Sequence, residues 1–79
     1  MRIDKYLKTA RIIKRRTVAN EACDAGRVSA NGKPVKASYE VKTGDEIEIG
    51  FGNRAVRIRV LEVKETVRKE EAESLFEYI

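Results

Sequence analysis

Seventy-nine residues, 42% hydrophobic and 38% charged, suffice for one small domain. With no His, no Trp and the single cysteine Cys23, they exclude an internal disulfide, a Cys-His or Ser-His-Asp centre and a four-ligand zinc site. Net charge is +4 but unevenly spread: residues 1–45 hold eleven Lys/Arg against five Asp/Glu, and residues 46–79 hold six against eight. A basic half joined to an acidic half points to a surface facing a polyanion, although a solvated helix face explains charge runs equally well on their own.

Residues 3–13 have the period of a helix. Ile3, Tyr6, Leu7, Ala10 and Ile13 share one apolar stripe, about 120° wide at 100° per residue, which must face the core. Arg2, Lys5, Lys8 and Arg11 then form a cationic ridge on the opposite side. Residues 16–25 predict a second helix with a stripe of Val18, Ala19, Ala22, Cys23 and Ala25, closed by Gly26 as a left-handed cap. Cys23 reads as a small buried hydrophobe. Thr17 is a candidate N-cap, but Lys14-Arg15-Arg16 stands where Ser or Asp is favoured, and three cations there oppose the helix dipole. An arriving phosphate would make sense of that placement, as would a different start to the helix.

Asn31-Gly32, between short alternating segments, predicts a hairpin with a type I′ turn, and Pro34 confines the return arm to an edge. Lys42-Thr43-Gly44-Asp45 reads as a turn, Glu46–Ile49 as a half-buried strand and Phe51–Arg54 as the next turn. In the strand 55–63, Val56, Ile58 and Val60 face one way, with Arg57, Arg59 and Leu61 on the solvent side. Ala72, Leu75, Phe76 and Ile79 suggest a short C-terminal helix in an acidic, solvated tail. Helices followed by short antiparallel strands make the fold class α+β.

No stretch approaches the roughly 20 apolar residues of a membrane span. The first six residues carry charge where a signal peptide has an apolar run. A cytoplasmic protein without membrane contact is expected. So short a chain also walls no ordinary pocket of about 300 Å³ or more, so neither an enzyme nor a cofactor is expected.

Four blocks, Arg2–Leu7, Lys14–Ala19, Gly26–Gly32 and Val41–Ile47, occur in the order and spacing of a known family. The sequence resembles the RNA-binding domain of the ribosomal protein S-four type from residue 2 to about 50. The resemblance implies an αL-like motif: two or three helices on a small bent antiparallel sheet, with RNA held by the first two helices and the loop before the hairpin. On this reading residues 1–64 are the RNA-binding domain, with core motif 2–50, and 65–79 the tail.

The whole chain is also similar to short, free-standing RqcP-like proteins of Gram-positive bacteria. The shared features are the Lys14-Arg15-Arg16-Thr17 run, the Phe51-Gly52 turn and the acidic Lys69–Ala72 stretch. That similarity implies a ribosome-associated quality-control factor. Its partners would be ribosomal RNA of the large subunit, tRNA and an RqcH-like protein, on stalled subunits carrying peptidyl-tRNA while C-terminal alanine tails are added. A monomer is expected. A heat-shock-type subunit recycling factor and an accessory subunit of an RNA-modifying enzyme are the alternatives. The former group has a longer basic extension, where this chain stops at an acidic end.

The expected RNA-binding residues are Arg2, Asp4, Lys5, Lys8, Arg11, Lys14, Arg15 and Arg16, with Arg27 and Lys33 extending the patch around the hairpin. Arg16 leads by resemblance, and a guanidinium grips phosphate with two parallel hydrogen bonds. Asp4 is unusual in this ridge: either a salt-bridge or first-turn dipole partner, or a group that orients an arginine or accepts from a ribose hydroxyl. Aromatic residues lie outside the ridge, so recognition by shape and backbone is favoured over base stacking.

Overall fold

The apolar period of residues 3–13 survives folding, but the helix does not run its length. In the computed structural model, which describes residues 1–79, α1 spans Ile3–Thr9. Arg11 then takes φ of 60°, the left-handed region, while its amide donates to Lys8 O and that of Ile12 to Leu7 O. These two bonds form a Schellman cap with arginine where glycine is usual. The turn still delivers Ala10 and Ile13 to the core. It ends the helix early because the chain must fold back within a few residues to start α2, Arg16–Asp24. That helix closes on a second Schellman cap, at Gly26, with Arg27 N donating to Ala22 O and Gly26 N to Cys23 O.

The buried stripe of α2 is narrower than its sequence suggests. Ala19, Ala22 and Cys23 are buried, whereas Val18 and Ala25 face solvent. Burial pushes the Cys23 thiol up to about 11, with the charges of Asp4 and Asp24 adding to the effect, so it remains a neutral thiol. The expected cap at Thr17 does not form. Arg15 is the N-cap residue and makes no side-chain cap.

Five antiparallel strands follow: β1 (Val28–Ala30), β2 (Lys33–Pro34), β3 (Glu46–Phe51), β4 (Arg54–Val60) and β5 (Phe76–Tyr78), in spatial order β2-β1-β3-β4-β5. Asn31 and Gly32 both take positive φ, 53° and 86°, as a type I′ turn requires, and Ala30 pairs with Lys33 across it. Pro34 lies on the outer strand, where no ladder amide is missed. Alternation in β3 and β4 sends Ile47, Ile49, Ile58 and Val60 into one core with Ile3, Tyr6 and Leu7 of α1.

The tail is the main departure from the sequence reading. It forms a seven-residue 3₁₀ helix, Lys69–Leu75, and then β5, instead of one helix to the C-terminus. The open edge of β4 takes the backbone of Phe76–Tyr78, with Val60 opposite Phe76 and Ile58 opposite Tyr78. Leu75 is fully buried, and its carbonyl accepts from the Tyr6 hydroxyl at 2.7 Å and from the amides of Leu61 and Glu62. The acidic tail therefore supplies Ala72, Leu75 and Phe76 to the buried interior.

Leu75→Ala should cost about 2–5 kcal/mol, the range for truncating a fully buried leucine. Urea denaturation monitored by circular dichroism measures it; a loss below about 0.5 kcal/mol would mean that the tail does not contribute to the core.

Candidate nucleic-acid interface

Asp4 stands in the first turn of α1, one position after the buried Ile3. It is itself buried, with 1% of its surface exposed. Four groups converge on the carboxylate. Asp4 Oδ1 accepts from the Lys5 amide at 2.7 Å, and Oδ2 accepts from Arg2 Nη2 at 3.2 Å and Asn20 Nδ2 at 3.3 Å. Arg16 Nε lies 3.5 Å from the same Oδ2. The desolvation of burial opposes the charge, but the Asn20 and Lys5 hydrogen bonds and the Arg16 and Arg2 guanidinium groups outweigh it and hold this carboxyl below its ordinary value.

Asp4 thus offers little surface to a ligand. It ties α1 to α2 through Asn20 and Arg16, and it fixes two arginines whose side chains remain about half exposed, 48% each. Arg2, Asp4, Arg16, Thr17, Asn20 and Glu21 line a shallow recess at this point.

A second, larger recess adjoins the first. Lys5, Lys8, Arg11, Lys14 and Arg16 line it, together with residues of the tail. Arg16 belongs to both recesses, so the cations from Arg2 to Lys14 form one track across the start of α1, the α1–α2 turn and the start of α2. The turn in which Arg11 takes its left-handed conformation also carries Lys14, and both residues line this concavity. The other three expected residues separate from this track. Arg15 is exposed at the N-cap position of α2 and lines neither recess. Arg27 follows α2, where its carbonyl accepts from the Gly50 amide, and Lys33 sits on the outer strand β2.

Arg57 and Arg59 occupy the solvent face of β4, where acidic neighbours already answer their charge. Arg57 lies 3.6 Å from Glu48, and Arg59 lies 3.4 Å from Glu46 and 3.8 Å from Glu77. Cross-strand register places these opposite charges side by side. The solvent face of β4 therefore carries paired charge, whereas the continuous track of cations lies on the helical side.

Two contributors to the site have no signal in the sequence. Asn20 shows only as a polar position on α2, and its role as a donor to Asp4 depends on how the helices cross. Lys69 lies in the acidic half of the chain, and only the docking of the tail brings it beside the α1 cations.

The S4-domain profile matches residues 1–47, a stretch that holds both helices, the hairpin and the whole cationic track. The chain belongs to the S4-domain family. Along 98% of its length it is 54% identical to a protein of Halalkalibacterium halodurans named RQC P-site tRNA stabilizing factor, covering 88% of that relative. The Bacillus subtilis protein of the same name is 51% identical over 96% of this chain and 88% of its own length. Among solved structures, the trimeric heat shock protein 15 of Vibrio cholerae superposes on the whole chain with a TM-score of 0.92, at 30% identity and covering 81% of that chain.

Asp4→Asn should lower stability by about 2 kcal/mol at neutral pH, the loss expected for charge-assisted hydrogen bonds. Because the folded carboxyl titrates below its ordinary value of about 4, its contribution is complete above that pH and is lost as pH falls through the lower folded value. The gap between wild type and variant in thermal melting should therefore close on acidification. A gap that stayed constant down to pH 2 would contradict the ionic role.

Proposed function

We propose that the chain is an RNA-binding, ribosome-associated quality-control factor. It binds large ribosomal subunits stalled with peptidyl-tRNA, touches both ribosomal RNA and tRNA, and supports C-terminal alanine tailing beside an RqcH-like protein. The observation that carries the RNA-binding part is the single cationic track from Arg2 to Lys14, with two of its arginines held by a buried carboxylate. Guanidinium groups fixed in this way meet phosphate oxygens without first losing side-chain freedom. Similarity over nearly the full chain to two proteins named RQC P-site tRNA stabilizing factor supports the quality-control part.

On this reading Arg2, Lys5, Lys8, Arg11, Lys14 and Arg16 contact backbone phosphates, Arg16 the most important of them. Arg15, Arg27 and Lys33 meet neighbouring RNA outside the track, and Asp4 acts as a positioning residue. The protein performs no bond-making step; it acts by adding contacts that favour one arrangement of RNA. The second reading is the subunit recycling factor that the sequence resemblance offers as an alternative, and the likeness in fold to heat shock protein 15 is in keeping with it.

Sedimentation of tagged protein in cell lysate through a sucrose gradient tests the proposal. Wild type should run with free large subunits, and Arg16→Ala should remain at the top although it stays folded, its melting temperature lowered only modestly by loss of the Asp4 pair. If both remain at the top at low salt, the large subunit is not the target.

A further inference from the structure

The tail contributes to the cationic recess as well as to the core. After β4 the chain crosses in front of α1, where the Glu65 carboxylate accepts from Lys5 Nζ, a residue 60 positions away in sequence. Four residues later Lys69 lines the same recess as Lys8, Arg11, Lys14 and Arg16. This wall is anchored at several points. Val67 packs against the core, Leu75 is buried at the end of the 3₁₀ helix, and the Tyr6 hydroxyl binds the Leu75 carbonyl. Lys69 therefore projects from fixed backbone.

The recess has six cations and one carboxylate, and Val67 is its one apolar lining residue. A lining of that kind selects a highly charged ligand. The Glu65–Lys5 pair is exposed on both sides, 70% and 38%, and an exposed pair of this type exchanges readily with other charges. The hydrogen bond from Lys5, with its charge, holds the Glu65 carboxyl below its ordinary value, so the carboxylate stays ionised as the ammonium's internal partner.

We infer that residues Glu65–Lys69 form the second wall of the RNA groove, with Lys69 binding a backbone phosphate and Glu65 serving as an internal counter-ion of Lys5 that an RNA phosphate displaces. This inference rests on the RNA-binding reading above. It adds residues beyond the S4-domain match, which ends at residue 47. It also gives the acidic tail an effect on selectivity: a ligand too weakly charged to displace Glu65 leaves Lys5 occupied.

Fluorescence anisotropy with labelled deacylated tRNA tests it, using wild type, Lys69→Ala, Glu65→Gln and Lys64→Ala across a salt series. Lys64 pairs with Glu62 outside the recess, so its variant removes the same charge without touching the groove. Lys69→Ala should weaken binding about three- to tenfold and reduce the steepness of the log–log salt slope by about one, as loss of one phosphate contact does. Lys64→Ala should change binding less than about twofold, and Glu65→Gln should tighten it about two- to fivefold. The inference is overturned if Lys69→Ala behaves like Lys64→Ala, or if Glu65→Gln leaves affinity unchanged. Failure of wild type to bind tRNA at low salt would overturn the RNA-binding reading itself, and this inference with it.

Discussion

A buried carboxylate in the first turn of α1 holds the helical side of this protein together. Asp4 gives up hydration, and in exchange it collects the Lys5 amide, the Asn20 amide group and two guanidinium groups. Leaving such a charge buried without partners would be costly, so its neighbours have little freedom to move away. Because one partner comes from before α1, one from α1 itself and two from α2, the crossing of the helices and the placement of the cations are set by the same contacts. The positive surface is thus built outward from the core.

The sheet supports this arrangement from below. Its buried face packs Ile47, Ile49, Ile58 and Val60 against Ile3, Tyr6 and Leu7. Its solvent face carries a ladder of paired charges in which Arg57 and Arg59 are answered by Glu46, Glu48 and Glu77. The opposite ends of the sheet are closed differently: Pro34 blunts one edge, and β5 covers the other edge of β4. For a domain of this size, in which about 40% of the chain's surface stays exposed, the extra burial of Leu75 and Phe76 matters. A second buried carboxylate, Asp45, does for the loops what Asp4 does for the helices, accepting from Asn31, Tyr39 and the Lys42 amide.

Four of the five strands are legible in the sequence because their signals are local, although β4 ends at Val60 and not at residue 63 as the alternation suggests. Period-two alternation marked β3 and β4, and Asn31-Gly32 marked a turn that demands positive φ twice. The cationic residues of α1 were legible for the same reason. Where the fold departed, a tertiary demand had overridden a local preference. Arg11 takes a left-handed conformation that its residue type does not announce, so α1 looked four residues longer than it is. The tail carried helical spacing, but the open edge of β4 offered its backbone better partners. Asp4 was recognisable as an anomaly among cations, yet its partners Asn20 and Arg16 are brought to it only by the helix crossing. Nothing local distinguished Lys69 from its acidic neighbours.

The most direct measurement is a map of amide chemical-shift changes on ¹⁵N-labelled protein titrated with tRNA. Binding through the cationic track is expected to move Arg2, Lys5, Lys8, Arg11 and the residues from Lys14 to Thr17. Arg57, Arg59 and their neighbours on the solvent face of β4 should stay in place. Shifts centred on that sheet face, with the start of α1 and α2 unmoved, would contradict the assignment of the RNA-binding surface to the helical side.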